Sequence, residues 1–247
     1  MDIFDATWTD ADATETLLAV LPVGSIEQHG PHAPLGTDVI TAEAVASAGV
    51  DRYDGTAVVA PAIPVGIAAE HRQFTGSLWV TEDTFRAYVS ETVESLVSHG
   101  WDRVVVVNGH GGNIDALREL CGTLTREETA YAVPFTWFNA VDLAALGTAM
   151  GHGGPAETSL VRHARPALVA TDRLDAVAAD AADGWGDWQS GTNLAYDSAE
   201  FTDNGVVGDP SESSAELGEQ LLDAAADALA ELLDTVESRD VSRPPHR

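Results

Sequence analysis

The chain has 247 residues, 40 acidic and 12 basic, for a net charge of −28. Every basic residue is arginine, and acid is spread over the whole length. Such a surface excludes nucleic acid and anionic membrane as partners, because both need a basic footprint. It fits the cytoplasm of a halophile, where concentrated salt screens self-repulsion. One cysteine, Cys121, allows no internal disulfide and agrees with a reducing compartment. The length suits one large domain, residues 1–247, able to bury a core without staples. The first residues carry no basic n-region and no long apolar stretch, so neither a signal peptide nor a membrane helix is expected.

In chain order, residues 1–15 read as polar and peripheral. Residues 17–23 are an apolar run and a predicted buried strand. After Gly24 the chemistry changes: Glu27, His29, His32 and Asp38 fall close together among Gly30, Pro31, Pro34 and Gly36. Those glycines and prolines predict a shaped loop. Glu27 and His29 are two apart, so in extended backbone they share one face. A polar loop of this kind is often only a solvated turn; the metal reading depends on what the rest of the chain adds.

Residues 38–49 predict a short helix closed by Gly49, and residues 57–60 a second strand. A polar loop follows, with Glu70, His71 and Arg72. Thr81 offers an N-cap to an amphipathic helix ended by Gly100. Four valines at 104–107 predict a central parallel strand buried on both faces. It runs into Asn-Gly-His-Gly-Gly-Asn at 108–113, then a helix carrying Leu117, Leu120, Cys121 and Leu124, then a strand at 130–135. Cys121 lies on the apolar side of that helix and reads as packing.

Residues 142–160 are expected to form another polar loop, with His152 and Glu157. Residues 175–205, rich in Gly, Asp, Trp and Asn, read as irregular, a lid or an oligomer contact. Ser213-x-x-Glu216 predicts a capping box opening a long amphipathic helix. The tail at 243–247 reads as frayed.

Strands alternating with helices argue for an α/β fold with a largely parallel sheet, whose ligands sit beyond the carboxyl ends of the strands. Segments 24–38, 70–77, 108–113 and 151–159 then converge on one site. His29, His32, His71, His110 and His152 all lie in these loops, whereas His99 and His163 read as helix-surface residues. His110, flanked by glycines that admit close backbone approach, is the sharpest metal-ligand candidate.

These stretches together resemble the creatininase family of metal-dependent amidohydrolases. The carrying residues are 23–32 (Val-Gly-Ser-Ile-Glu-Gln-His-Gly-Pro-His), 35–38 (Leu-Gly-Thr-Asp), 70–78 (Glu-His-x-x-Phe-x-Gly-Ser-Leu), 108–113, 157–159 (Glu-Thr-Ser) and 205–210 (Gly-Val-Val-Gly-Asp-Pro). The resemblance implies a three-layer α/β/α fold, a homo-oligomer such as a hexamer, and two divalent ions, Zn, Mn or Fe. Carried over by position, Glu27 and His110 hold one ion, His29 the other, and Asp38 bridges them. Gly112 stands where the namesake enzyme has a ligating glutamate and Gly111 where it has a tyrosine; Glu157 is the replacement ligand or a catalytic group. No tryptophan corresponds to the one that packs on creatinine just before the catalytic histidine.

The implied reaction is hydrolysis of an amide or formamide C–N bond in a small polar molecule. His152 is the candidate proton donor to the leaving nitrogen, or else orients Glu157. His32, Glu70, His71, Arg72, Asn108 and Asn113 are substrate or supporting groups; Asn108 and Asn113 brace the His110 loop. The Gly111-Gly112 pair points to a formamidopyrimidine nucleotide of flavin and deazaflavin synthesis in a halophilic archaeon, with Arg72 and Arg162 as phosphate partners. The alternatives are creatinine hydrolysis, a mycofactocin-type peptidase, and a metal-binding scaffold without catalysis.

A charge of −28 without lysine generates self-repulsion that screening relieves. The thermal midpoint is therefore expected to rise from low salt to about 1 M KCl, where the Debye length falls to about 3 Å. A flat or falling midpoint in differential scanning fluorimetry would contradict the halophile reading.

Overall fold

The structure, a computed structural model, describes residues 1–242. The tail at 243–247 lies outside the described residues. The elements are α1 Trp8–Asp12, β1 Leu18–Val23, α2 Thr37–Arg52, β2 Val58–Val59, α3 Glu82–Ser98, β3 Arg103–Asn108, α4 Ile114–Arg126 and β4 Tyr131–Thr136. They continue with α5 Trp137–Ala140, α6 Pro155–Ala164, α7 Leu174–Ala179, the short strands β5 Trp188–Gln189 and β6 Thr192–Asn193, and α8 Ala215–Ser238.

β2, β1, β3 and β4 form a parallel sheet in that spatial order. The central strands β1 and β3 are buried on both faces, which is why they read as uninterrupted apolar runs. The two-residue alternation sorts their side chains between two cores. Ala19, Leu21, Val23, Val104 and Val106 pack against Phe85, Val89 and Val93 of α3 and Leu117, Cys121 and Leu124 of α4. Leu18, Val20, Val105 and Val107 pack against Val45 of α2, Leu160 of α6 and Leu221, Leu229 and Leu233 of α8. The result is the expected three-layer α/β/α sandwich.

Several local expectations change. Residues 1–3 are not peripheral: Ile3 N–H donates to Val59 O and Val59 N–H to Met1 O, so they pair along β2. Thr7 caps α1 through Asp10 N–H. Residues 155–159 are helical, because Pro155 occupies the first turn of α6, where its missing N–H costs nothing. The long helix is capped by Ser214, whose Oγ accepts the Leu217 N–H at 3.0 Å, and not by Ser213. Ser213 Oγ instead donates to Pro210 O at 2.6 Å. Within 175–205, α7 and the β5–β6 hairpin replace the irregular chain expected there. Among the described residues, no helix is long and apolar enough to cross a membrane.

Leu229 of α8 is fully buried, and Gly49 of α2 makes room for it: a Cβ at position 49 would strike the leucine side chain. Leu229→Ala is expected to lower unfolding free energy by about 2–5 kcal/mol, the usual cost of a large-to-small core change. Urea unfolding in molar salt checks this, and a loss near zero would mean that the α2–α8 contact is not part of the stabilising core.

Candidate active site at the carboxyl edge of the sheet

Val23, Asn108 and Thr136 are register partners, so β1, β3 and β4 end at one level. The loop after β1 delivers Glu27 and His29, and the loop after β3 delivers His110. Asp38 comes from the first turn of α2 and Glu157 from the first turn of α6. Two glycines permit this convergence. A Cβ at Gly109 would strike the Asp38 carbonyl, and one at Gly24 would lie 2.6 Å from Val39 N.

Asp38 sits between two imidazoles. Its Oδ1 is 3.0 Å from His29 Nε2 and its Oδ2 is 3.3 Å from His110 Nδ1. Glu27 Oε1 lies 3.2 Å from His110 Nδ1, and Glu157 Oε2 lies 3.8 Å from His29 Nε2. Glu27, Asp38 and His110 form one donor group and His29, His152 and Glu157 another, and Asp38 reaches His29 as well.

Backbone carbonyls set the direction of three rings. His29 Nδ1–H donates to Glu27 O at 3.2 Å, His110 Nε2–H to Ile67 O at 2.6 Å, and His152 Nε2–H to Gln28 O at 2.5 Å. In each neutral ring the remaining nitrogen then carries a lone pair toward the site.

Glu27, His29, Asp38, His110 and Glu157 are all buried. Among the described residues, both Glu27 oxygens, His29 Nε2 and Asp38 Oδ2 have no hydrogen-bond partner. Burial disfavours the His29 cation, yet Asp38, then Glu157 and Glu27, raise its pKa to about 10. His110 is raised in the same way against its burial, chiefly by Glu27. Burial raises Asp38, but His29 and His110 bring it down to about 2. Burial pushes Glu157 up to about 7. Carboxylate fields that hold protons on two buried imidazoles are fields that hold cations. Orphaned oxygens and lone-pair nitrogens in one cluster fit divalent metal. His152 is the opposite case: burial first, then His29 and His71, press its pKa well below the ordinary range, leaving it neutral with Nδ1 bare.

The remaining expected residues divide. Asn108 braces the His110 loop, donating to His110 O at 2.7 Å and accepting His110 N–H at 3.1 Å. Asn113 ties that loop to Gly24 O and Ile67 N–H. Glu70 stands beside the cluster, 3.9 Å from His110 Nε2, and His71 lies 3.4 Å from Glu27. His32 faces away toward α6, with Nε2 at 2.9 Å from Thr158 Oγ1. Arg72 turns outward onto Asp197 at 2.7 Å, and Arg162 donates to Ser213.

A cavity of about 600 Å³ opens above the donors. Glu27, Glu70, His71, His110, Gly111, Gly112, His152 and Glu157 line it, with Phe138, Met150, Asp183 and Trp185. A groove of about 650 Å³ between residues 1–4 and α2 is larger, so size does not choose the site; the converging donors do. At Gly111 a Cβ would meet open space, whereas at Gly112 it would run into Ile67 O. Trp185 is the residue that sequence reasoning missed. Its ring centroid lies 5.7 Å from those of His71 and His152. The aromatic density of Trp185, Trp188 and Tyr196 was the available signal, and it sits in a segment with no periodicity to place it.

Buried carboxylates and imidazoles at the carboxyl edge of a parallel sheet, beside a neutral histidine with a bare nitrogen, are the parts of a metal-dependent hydrolase. The family model described as creatininase, creatinine amidohydrolase, matches residues 5–233. The chain is similar to the mycofactocin precursor peptide peptidase of Mycolicibacterium smegmatis, 35% identical over 210 residues, covering 83% of this chain and 79% of that protein. It is 38% identical over 166 residues to the one of Mycobacterium ulcerans, 64% of this chain and 62% of that relative's length. A crystal structure of creatinine amidohydrolase (creatininase) superposes with a TM-score of 0.84 at 23% identity, over 97% of this chain and 98% of that one. The chain belongs to the creatininase family, whose members are amidohydrolases acting on carbon–nitrogen bonds.

Asp38→Ala removes the one carboxylate that faces both His29 and His110. Divalent metal retained after dialysis, measured by plasma mass spectrometry, is expected to fall to background while far-UV circular dichroism stays unchanged. Full metal retention would remove Asp38 from the donor set.

Proposed function

We propose that the chain is a two-metal amidohydrolase that cleaves a C–N bond in a small amide lacking phosphate. The observation that carries this is the donor set: three buried carboxylates facing lone-pair nitrogens whose direction is set by backbone carbonyls. Glu27, Asp38 and His110 would hold one Zn, Mn or Fe ion, and His29, Asp38 and Glu157 the other. Bound there, the ions supply a water of lowered pKa and polarise the amide carbonyl.

His152 supplies the proton transfers. Its Nε2–H is held by Gln28 O, so its bare Nδ1 accepts the proton of the attacking water and returns it to the leaving nitrogen. Burial and its imidazole neighbours keep it neutral beforehand, the state in which Nδ1 can accept. Trp185, Phe138 and Met150 provide the apolar wall against which the substrate is held.

The lining also bears on the substrate. Among the described residues, no arginine lines the cavity, whereas Glu70 and Asp183 do. The phosphate of a formamidopyrimidine nucleotide would meet carboxylates there, and its expected partners Arg72 and Arg162 are engaged elsewhere. A neutral or cationic amide suits the lining better. The relatives named as peptide peptidases support the same preference. The cytoplasmic, halophilic and homo-oligomeric setting belongs to this proposal as well.

The test offers creatinine, the formamidopyrimidine nucleotide and a short peptide to one metal-reconstituted sample in molar KCl. Turnover of the peptide or of creatinine, abolished by chelator, is the expected result. Efficient turnover of the nucleotide alone would overturn the lining argument. No turnover of any amide by protein with a full metal complement would favour a scaffold.

A further inference from the structure

His71 breaks the pattern shared by its three neighbours. The outward nitrogens of His29, His110 and His152 meet carbonyl acceptors, but His71 Nδ1 lies 3.0 Å from the side-chain amide nitrogen of Gln28. That amide has no freedom to turn over. Its Oε1 accepts the Gly30 N–H at 2.9 Å, and its Nε2 also donates to Gly205 O at 2.8 Å. The second amide hydrogen therefore points at His71 Nδ1, which must accept. The Ser198 hydroxyl, 3.1 Å from the same Nδ1, is compatible with that role because it donates either there or to Glu70 O. The proton of neutral His71 is thus on Nε2, 3.4 Å from Glu27 Oε1, a close approach short of a hydrogen bond to an oxygen that has no hydrogen-bond partner among the described residues.

Spacing alone would suggest something different. Glu27, His71 and His152 present donor atoms within 4.8 Å of one another, close enough for a third ion. A ligand needs a lone pair, and His71 turns an N–H toward that space. Freeing Nε2 would move the proton to Nδ1, against the amide hydrogen of Gln28. Breaking that clash would cost Gln28 its bonds to Gly30 and Gly205.

We propose that His71 is a positioning residue: its Nε2–H orients the Glu27 carboxylate for metal, with the tautomer imposed by Gln28. Ligating carboxylates depend on such outer partners, whose loss weakens metal binding about 10–100-fold. His71 also stacks on His152 at 4.4 Å between centroids, so a test must separate donation from packing. The proposal rests on the metal-donor reading above, and its experiments read the ring and the metal without turnover.

Two variants and one spectrum decide it. His71→Phe keeps an aromatic ring beside His152 and removes the donor; His71→Gln returns an N–H at similar reach. Zinc affinity, measured by competition with a chromophoric chelator, is expected to fall about 10–100-fold in His71→Phe and to recover most of that loss in His71→Gln. Equal, severe losses in both would make His71 a ligand, and no loss in His71→Phe would make it packing; either overturns the proposal. In ¹⁵N-histidine-labelled wild-type protein, the His71 signals, assigned by their loss in His71→Gln, should show a bare Nδ1 and a protonated Nε2. That pattern should persist when zinc is added. A protonated Nδ1, or an Nε2 shifted to the position of a ligating nitrogen, overturns it. Wild-type protein that takes up no zinc would sink the metal-site reading instead, and the metal-free spectrum would still decide the tautomer.

Discussion

Three carboxylates, Glu27, Asp38 and Glu157, are buried together, and the rest of the structure answers to that constraint. An unpaired buried charge costs several kcal/mol even after relaxation. Asp38 and Glu157 lie in the first turns of α2 and α6, where the helix dipole favours a negative charge. That effect is about 0.3–1 kcal/mol in exposed positions and reaches about 2 kcal/mol in partly buried ones, too little to offset three such burials. His29 and His110 contribute more, because the carboxylates keep them protonated against their own desolvation. A proton on an imidazole and a divalent cation answer the same excess of negative charge.

The constraint reaches into the backbone. Carboxylates and imidazoles meet only if the loops carrying them pass within van der Waals distance of one another's main chain. Gly24 and Gly109 lie against the first turn of α2, and Gly153, at φ +59°, lies against His29 O. Each position excludes a Cβ because another backbone segment already fills that space. The same closeness gives the histidines their carbonyl partners, so glycine placement and ring orientation have one cause. A side chain at Gly109 would push Asp38 away and loosen the His110 loop in the same movement.

How much of this the sequence disclosed follows from where the signal lies. The parallel core was legible because residues 104–107 and 17–23 carry unbroken apolar runs that only a doubly covered strand accommodates. The site segments were legible because His, Glu and Asp beside Gly and Pro stand out after such runs. Glu157 was placed in a loop because Gly153, Gly154 and Pro155 read as turn residues; Pro155 instead starts α6 and presents the carboxylate from a rigid turn. His32 shares its motif with His29 yet faces Thr158, since Pro31 and the left-handed Gly30 at φ +74° send the chain onto α6. The tautomer of His71 was beyond sequence reasoning, for it depends on an amide fixed by Gly30 and Gly205, partners far apart in the sequence.

The distribution of parts between rigid and irregular elements explains why family membership leaves the substrate open. The floor of the site is built from the loops that leave β1 and β3 and from the first turns of α2 and α6, with every donor buried. The wall above it comes from a different source: Asp183, Gly184 and Trp185 precede the β5–β6 hairpin, and Gly111 faces open space. Trp185 is held from below by the rings of His71, His152 and Phe201, while Trp188 of the hairpin beyond it and Tyr196 after the hairpin are exposed. That segment borders the cavity mouth and contributes none of the five buried donors. On the proposed reading, the buried charge cluster constrains the reaction, whereas the chain that covers it varies what is admitted.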